Sequence, residues 1–496
     1  MPARGKGEAI PNDALYNARD ARGESQGQVA EGLNLLAAKR GERLAFDGNQ
    51  VSRWERGTVR PGRLASQLLA EYFGLSIKDL GLSRERTSRA KQSGSSAGSL
   101  TSVLITEDPT REDAPEVIES QREWLHIRRS LNQNHTRLAK AAALLYPQDV
   151  QLGETGILAR HDWMLEKPID LADVQIRFVA KSVPPTFTGE EDETLNVRPL
   201  KAEQRRYSRY SQAIRDVAKP TLFENRYCWR LLDATFADTG GALQFGAMHY
   251  FDAMDTCEAL AHEFAGTHLD ANGQIGRPSW RGLKFRKAIG DPFDLSQRPA
   301  VMSINTLTIR RDKTSASVIL HNRNAANVAT SGGIIGVMPA GVFQPSTVRT
   351  ALHDNDFDLW RNIMREYSEE FLGNTEHDGD GPGANYATEP LRSLDAARQT
   401  GGIKLYCLGL GIGALDLWAG LETVAVIDTD VFTDLFASMV HINDEGTVVR
   451  VGSAVPTVHI PFTKEVIDEL QATNRLAPET SLSLQKAWEH RGLLLS

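Results

Sequence analysis

Apolar residues in the first eighty positions recur three and four apart and are interrupted by Gly23, Gly41, Gly48, Gly57 and Gly74, which predicts short helices over residues 12–82. The next stretch, SRERTSRAKQSGSSAGSLTS, is basic and then Gly/Ser-rich, with nothing to bury. It predicts a flexible linker, with bounds 83–113. The helical period returns from Ala114 to Tyr146, carried by Trp124, Ile127, Leu131, Leu138 and Leu145. Strand-like runs (VQIRFVA, GALQFGAMHYF) then mix with helical stretches near 201–217 and 255–266, so 114–290 reads as an α+β middle domain. From 295 to 496 the chain opens with VMSINTLTIR, SASVILHNR and GGIIGVMP as strands. A strongly amphipathic helix follows, then strands IKLYCLGLG and LETVAVID and two closing helices.

A chain of 496 residues suggests roughly three domains. No run approaches the ~18 consecutive apolar residues of a membrane helix, so no membrane partner is expected. The opening MPARGKGEAIPNDAL lacks the apolar core of a secretory signal. Cys228, Cys257 and Cys407 are too widely spaced for a disulfide framework or a cysteine-based zinc module, so the expected location is the cytoplasm. Charge changes the picture further. Residues 1–91 carry 16 basic and 11 acidic residues (+5), which leaves 40 and 53 (−13) for the remainder. A basic head on an acidic body suits a head that meets a polyanion.

The head carries Gly23-Glu24-Ser25-Gln26 and then Val29-Ala30, and later Gly48-Asn49-Gln50-Val51-Ser52-Arg53-Trp54-Glu55-Arg56-Gly57 with Arg60-Pro61. Ser25 is placed to cap a second helix, whose buried side is Val29, Ala30 and Leu33. A third helix buries Val51 and Trp54 and leaves Asn49, Gln50, Ser52 and Arg53 on its exposed and N-terminal faces, side chains able to read base edges in a major groove. These residues resemble the Cro/C1 (XRE) helix-turn-helix family in order, spacing and capping. The resemblance implies an all-α DNA-binding domain, an Arg19–Glu55 pair that holds the recognition helix, and phosphate contact by Gln26; Arg56 is a further candidate. One departure is the long stretch from Leu33 to Gly48, which calls for a longer second helix or an inserted loop, with Lys39, Arg40 and Arg43 as added phosphate contacts. The plainer reading is a small helical bundle with solvated arginines.

The second constellation is Arg365-Glu366-Tyr367-Ser368-Glu369-Glu370-Phe371-Leu372-Gly373. A regular helix places Glu366, Glu369 and Glu370 on one face, opposite Phe357, Trp360, Met364, Tyr367 and Phe371, and lets Arg365 reach Glu369. Clustered carboxylates repel, and a hard cation such as Mg²⁺ would relieve them. This stretch resembles the latter half of the Nudix box, and Val337–Pro345 and the later strands resemble its surroundings. The resemblance implies an α/β/α sandwich over 295–490 and metal-assisted hydrolysis of a nucleoside diphosphate derivative, with Glu369 or Glu370 as base. The first half of the box departs: Thr347 stands where the family has glutamate, and an insertion of about ten residues separates Gly341 from Arg365.

His262-Glu263…His268 has its histidines six apart, the wrong spacing for a zinc-protease helix, and Gly409-Leu410-Gly411-Ile412-Gly413 is not a dinucleotide fingerprint. Tyr207–Ser211 and Leu222–Arg226 line a pocket or pack between domains. The reading that absorbs most of these features is a homodimeric, sequence-specific transcriptional regulator of double-stranded DNA, nucleoid-associated. Its altered Nudix-like domain would sense a nucleotide-like ligand and reposition two heads. The alternatives are a working Mg²⁺-dependent Nudix-type hydrolase localised by its helix-turn-helix, and a protein-interaction scaffold.

Overall fold

A computed structural model of the chain describes residues 12–82 and 114–496, apart from 21, 23–25, 40–45, 47, 57–58, 74, 76, 79, 221–222, 271, 324–333, 375–382, 438, 440–445 and 449–458. The chain divides into two compact units, Met1–Glu107 and Asp108–Ser496. The expected linker 83–113, the Ser25 cap, and Gly23, Gly57, Arg40 and Arg43 lie outside the described residues. No helix among the described residues is long and apolar enough to cross a membrane.

The first unit is helical: α1 (Asp13–Asp20), α2 (Gln26–Lys39), α3 (Gly48–Glu55) and α4 (Arg63–Phe73). Its core joins Leu15, Val29, Leu33, Ala37, Val51, Trp54, Leu68, Leu69 and Phe73. The Asn12 side chain starts α1 by accepting from the Leu15 amide at 3.2 Å, and its own amide donates to the Leu80 carbonyl. The residues between Leu33 and Gly48 are taken up in part by a long second helix, which runs to Lys39. Asn34 then closes the approach to α3: its side chain accepts from the Phe46 amide (2.6 Å) and donates to the Phe46 carbonyl (2.8 Å). The Phe46 ring meets Trp54 edge-on.

The second unit begins with α5 (Pro115–Gln133) and α6 (His135–Ala143), which bury Trp124, Leu131 and Leu138. Short strands β1 (Ile157–Leu158) and β2 (Met164–Asp170) follow, then β3 (Val174–Phe178). The helix expected near 201–217 is divided. Its first part is the hairpin β4 (Leu200–Ala202) and β5 (Arg205–Arg206); only α7 (Tyr210–Ala213) and a wider turn to Ala218 are helical. Next come β6 (Tyr227–Ala237) and β7 (Gly240–His249), which form a sheet with β3, then α8 (Tyr250–Ala253), α9 (Ala259–His268) and α10 (Lys284–Ile289).

The remaining strands are β8 (Met302–Arg311), β9 (Ala316–Val318), β10 (Leu320–Arg323), β11 (Ile335–Val337) and β12 (Ala340–Val342). After α11 (His353–Asp356), α12 (Leu359–Glu366) and α13 (Leu391–Gln399) come β13 (Ile403–Gly413), β14 (Ala419–Asp428), α14 (Thr429–Leu435), β15 (Gly446–Val448) and β16 (Ile460–Pro461). Helices α15 (Lys464–Ala472), α16 (Pro478–Glu489) and α17 (Arg491–Leu494) end the chain. The main sheet runs β1-β13-β14-β8-β9-β16, with β14 parallel to β8, and β2 and β12 attached to β13 and β8.

Period-two alternation sorts its two faces. Leu421, Ala425 and Ile427 of β14, with Met302 and Ile304 of β8, pack with Trp360, Ile363, Tyr367, Leu394 and Phe432. Val424 and Val426 of β14, with Leu307 and Ile309 of β8, pack with Ile467, Leu484 and Leu494. The sheet therefore lies between α12–α14 and α15–α17, and both faces being covered explains why its strands read as continuous apolar runs.

The boundary expected at 290–295 has no counterpart here. Strands β1 and β2, from the expected middle domain, pair with β13. Two fully buried arginines beside that boundary, Arg286 and Arg298, grip the turn that joins β13 to β14. Arg286 donates to the carbonyls of Ala414 (2.8 Å) and Leu415 and to the Tyr146 hydroxyl. Arg298 donates to the Leu417 carbonyl at 3.0 Å and to that of Pro292 at 2.9 Å. Leu417 holds φ at +62°, and the Arg298 bonds anchor this turn conformation. All three cysteines are buried and free. Burial pushes the thiols of Cys257 and Cys407 up to about 12 and raises that of Cys228 as well.

Replacing Arg286 with Leu strands two buried carbonyls and the Tyr146 hydroxyl. The expected loss is about 3–5 kcal/mol of stability in the second unit. Urea denaturation of the variant, followed by tryptophan fluorescence, checks it.

Candidate functional site

The face of α3 is set from its buried side. Val51 and Trp54 fill the core one turn apart. Gln50 and Ser52 are half-buried, Arg53 and Arg56 are exposed, and Asn49 occupies the second position of the helix. The Arg56 Nε donates to the Ser52 carbonyl at 3.4 Å, and Arg60 beyond it is exposed.

Glu55 ends the helix at 5% exposure and gathers three donors. Arg19 of α1 reaches it through Nε (2.6 Å) and Nη2 (3.1 Å), and Gln26, at the start of α2, donates Nε2 at 2.7 Å. The Glu55 carbonyl accepts from the Asn12 amide. One carboxylate thus ties together the end of α1, the start of α2 and the end of α3. Gln26, expected at a phosphate, is drawn inward because a buried carboxylate outcompetes water for its amide. Arg22, past the end of α1, lies over the rings of Tyr72 and Phe73.

The acidic stretch starts regularly. Asp358 caps α12 by accepting from the Arg361 amide, and Leu359, Trp360, Ile363 and Met364 are buried. A wider turn of the π type then takes over from Tyr367 to Phe371, so the regular 3.6-residue spacing lapses. Glu366 and Glu369 are half-buried, while Glu370 is buried and accepts from the Ala340 amide at 3.1 Å. The Glu366 carboxylate lies where a Cβ on residue 341 would sit, so α12 approaches β12 closely at this glycine, and a larger residue there would displace the end of the Glu366 side chain.

Arg365 departs from its expected pairing with Glu369. It is buried and donates to the Gln344 carbonyl (2.6 Å) and to Asn362 Oδ1 (2.9 Å). Burial acts against its charge, but Tyr386, Glu366, Asp356 and Glu369 raise its pKa above the ordinary arginine value. Three of these four groups are acids, so the charge of the guanidinium is favoured by the acidic stretch around it. Among the described residues no group of three or more His, Cys, Asp or Glu side chains could hold a metal ion.

One buried acid belongs to neither motif. Glu422 sits mid-strand on β14, on the face covered by α16, in a buried polar row with Asn305 (2.9 Å) and Ser483 (2.6 Å). Burial pushes its carboxyl up to about 8. A glutamate inside the apolar run LETVAVID was the available signal. His262 and His268 are both structural. His262 accepts or donates at Tyr210, and His268 Nδ1 bonds the Phe264 carbonyl. Gly409, with φ at +127°, lies at the bulge of β13 against Trp163 backbone, not in a nucleotide loop. Of the aromatic clusters, Tyr210 is fully buried beside Trp124 and Arg128.

Residues 15–80, which span α1 to α4, match the family described as the SP15 N-terminal domain. No curated protein matches the chain.

Two outcomes follow. Glu55→Ala removes the carboxylate that Arg19 and Gln26 share and is expected to cost the first unit about 3–5 kcal/mol, measured as lost helicity of the 12–82 region by hydrogen exchange of the full chain. For Glu422, the folded pKa of about 8 lies above its ordinary 4.5, so the folded chain keeps a proton that the unfolded chain releases. The associated stability is full below pH 4.5 and is lost as pH rises through 8. Between these limits the wild-type melting temperature should fall relative to that of Glu422→Gln; parallel curves would refute it.

Proposed function

We propose that the chain is a sequence-specific, DNA-binding transcriptional regulator of the Cro/C1 (XRE) helix-turn-helix type. It acts as a cytoplasmic, nucleoid-associated homodimer on double-stranded DNA. The observation that carries this reading is the buried Glu55 with its three donors, which fixes the rotation of α3. With Val51 and Trp54 inward, Arg53 and Arg56 face solvent. The +5 charge of residues 1–91 supplies the salt-dependent phosphate attraction, and Asn49, Gln50, Ser52 and Arg53 are the base-reading candidates. One small head covers too little duplex to bind tightly, which supports a dimer.

The C-terminal part of the second unit, a sheet between two helical layers, supports the Nudix-like sandwich reading and a nucleotide-like ligand for it. The hydrolase alternative is favoured by the contacts of Glu366 with Gly341 and of Glu370 with the Ala340 amide, which put acids beside a glycine-containing strand as a Nudix box does. It is opposed by Arg365, whose charge answers those acids. Regulation is therefore the preferred reading, and no catalytic step is assigned.

Selection of duplexes from a random library, followed by gel-shift titration, tests the regulator reading. Arg53→Ala should weaken binding to the selected site by about 10- to 100-fold and relax specificity at one position. An unchanged affinity, or no saturable duplex binding by the wild type, would refute it. Incubation with Mg²⁺ and ADP-ribose should give no turnover, and Glu370→Gln should leave duplex affinity unchanged. Turnover abolished by that substitution would instead establish the hydrolase.

A further inference from the structure

We infer that the second unit holds a binding site for a small ligand carrying a diphosphate group, in a cavity of about 390 Å³ beside the C-terminal end of α9. The inference is independent of the DNA-binding reading, which concerns other residues. The cavity is walled by Thr267 and His268 of α9 and by Gly276, Arg277, Arg281 and Gly282 of the loop that follows; Ser279 completes it. Among the described residues no carboxylate lines it.

Residues 272–290 contain Arg277, Arg281, Lys284, Arg286 and Lys287 and no acid, within a remainder of the chain whose net charge is −13. Arg286 has a structural task, described above. Arg277 and Arg281 do not: both are exposed and make no hydrogen bond or ion pair among the described residues. The Ser279 hydroxyl likewise makes no hydrogen bond among them. The end of α9 contributes about half a negative charge, too little to account for two guanidiniums by itself. Two guanidiniums that line one concave space offer a forked donor to each phosphate of a diphosphate.

The walls are held in place without a ligand. The Gly276 amide donates to the His268 carbonyl at 2.8 Å, and the His268 ring bonds Ser279 backbone at 3.1 Å. The Trp280 ring packs edge-on against Tyr146. Gly282 adopts φ of +85°, and a Cβ there would meet the Thr267 methyl at 3.0 Å, so this glycine keeps the loop backbone close to α9. An open concavity of this size, with six of its seven lining residues exposed, admits a small ligand from solvent. A polymer backbone would call for a continuous basic ridge.

Isothermal titration of the full chain with inorganic pyrophosphate, without added metal, tests the proposal. Saturable one-to-one binding is expected, weakened at least about tenfold in the Arg277→Gln/Arg281→Gln double variant and partly restored in the Arg277→Lys/Arg281→Lys variant. The two side chains are exposed, so an unchanged melting temperature accompanies the loss. Absence of saturable binding up to about 10 mM overturns the proposal, as does equal binding by the glutamine variant. Loss of affinity for mixed-sequence duplex in that variant, without pyrophosphate binding by the wild type, also overturns it and assigns the arginines to polymer phosphates.

Discussion

The second unit depends on two guanidiniums that have left water. Arg286 and Arg298 are fully buried, and each is compensated by backbone carbonyls, not by a carboxylate salt bridge. Desolvating a guanidinium costs several kcal/mol unless its donors are met. Five N–H groups in a planar fork meet several carbonyls at once, which no other side chain does. The turn between β13 and β14 exposes its carbonyls inward for these partners. Two segments far apart in sequence, 286–298 and 414–417, are thereby made one structure, and the main sheet recruits β1 and β2 from upstream.

The first unit uses the opposite arrangement, one buried anion met by several donors. Glu55 sits at the junction of α1, α2 and α3, where Arg19 and Gln26 converge. A charge–charge pair on the surface adds little, whereas this one is shielded on nearly all sides. It therefore sets orientation as well as stability: turning α3 by one residue would bury Arg53 and expose Trp54.

Much of this architecture was legible from period alone. The strands β8, β13 and β14 announced themselves as unbroken apolar runs, as strands covered on both faces do. The faces of α5 and α12 followed from residues such as Trp124 and Trp360. The Arg19–Glu55 pair was foreseen from a family resemblance, and the geometry places those two side chains together. What was not legible depended on partners distant in the chain. The wider turn at Tyr367–Phe371 follows from packing against Phe432 and Phe436, and it moves Glu370 off the face that regular spacing assigns. Arg365 has a near acid in sequence but a nearer carbonyl, Gln344, in space. The strand β6 is hidden in the sequence because Arg230 and Asp233 interrupt its apolar pattern, although Arg230 is buried by donating to the Val183 and Leu295 carbonyls. Residues 114–290 and 295–496 read as separate domains because pairing of β2 with β13 leaves no local trace.

The three buried thiols give the molecule an internal clock. Each is protonated at neutral pH and shut away from solvent, so an alkylating reagent reaches it only when the surrounding structure opens. All three lie between positions 228 and 407, within the larger unit. Their modification rates therefore time the opening of β6, of the segment leading into α9, and of β13 individually, while the helical head contributes nothing to the signal.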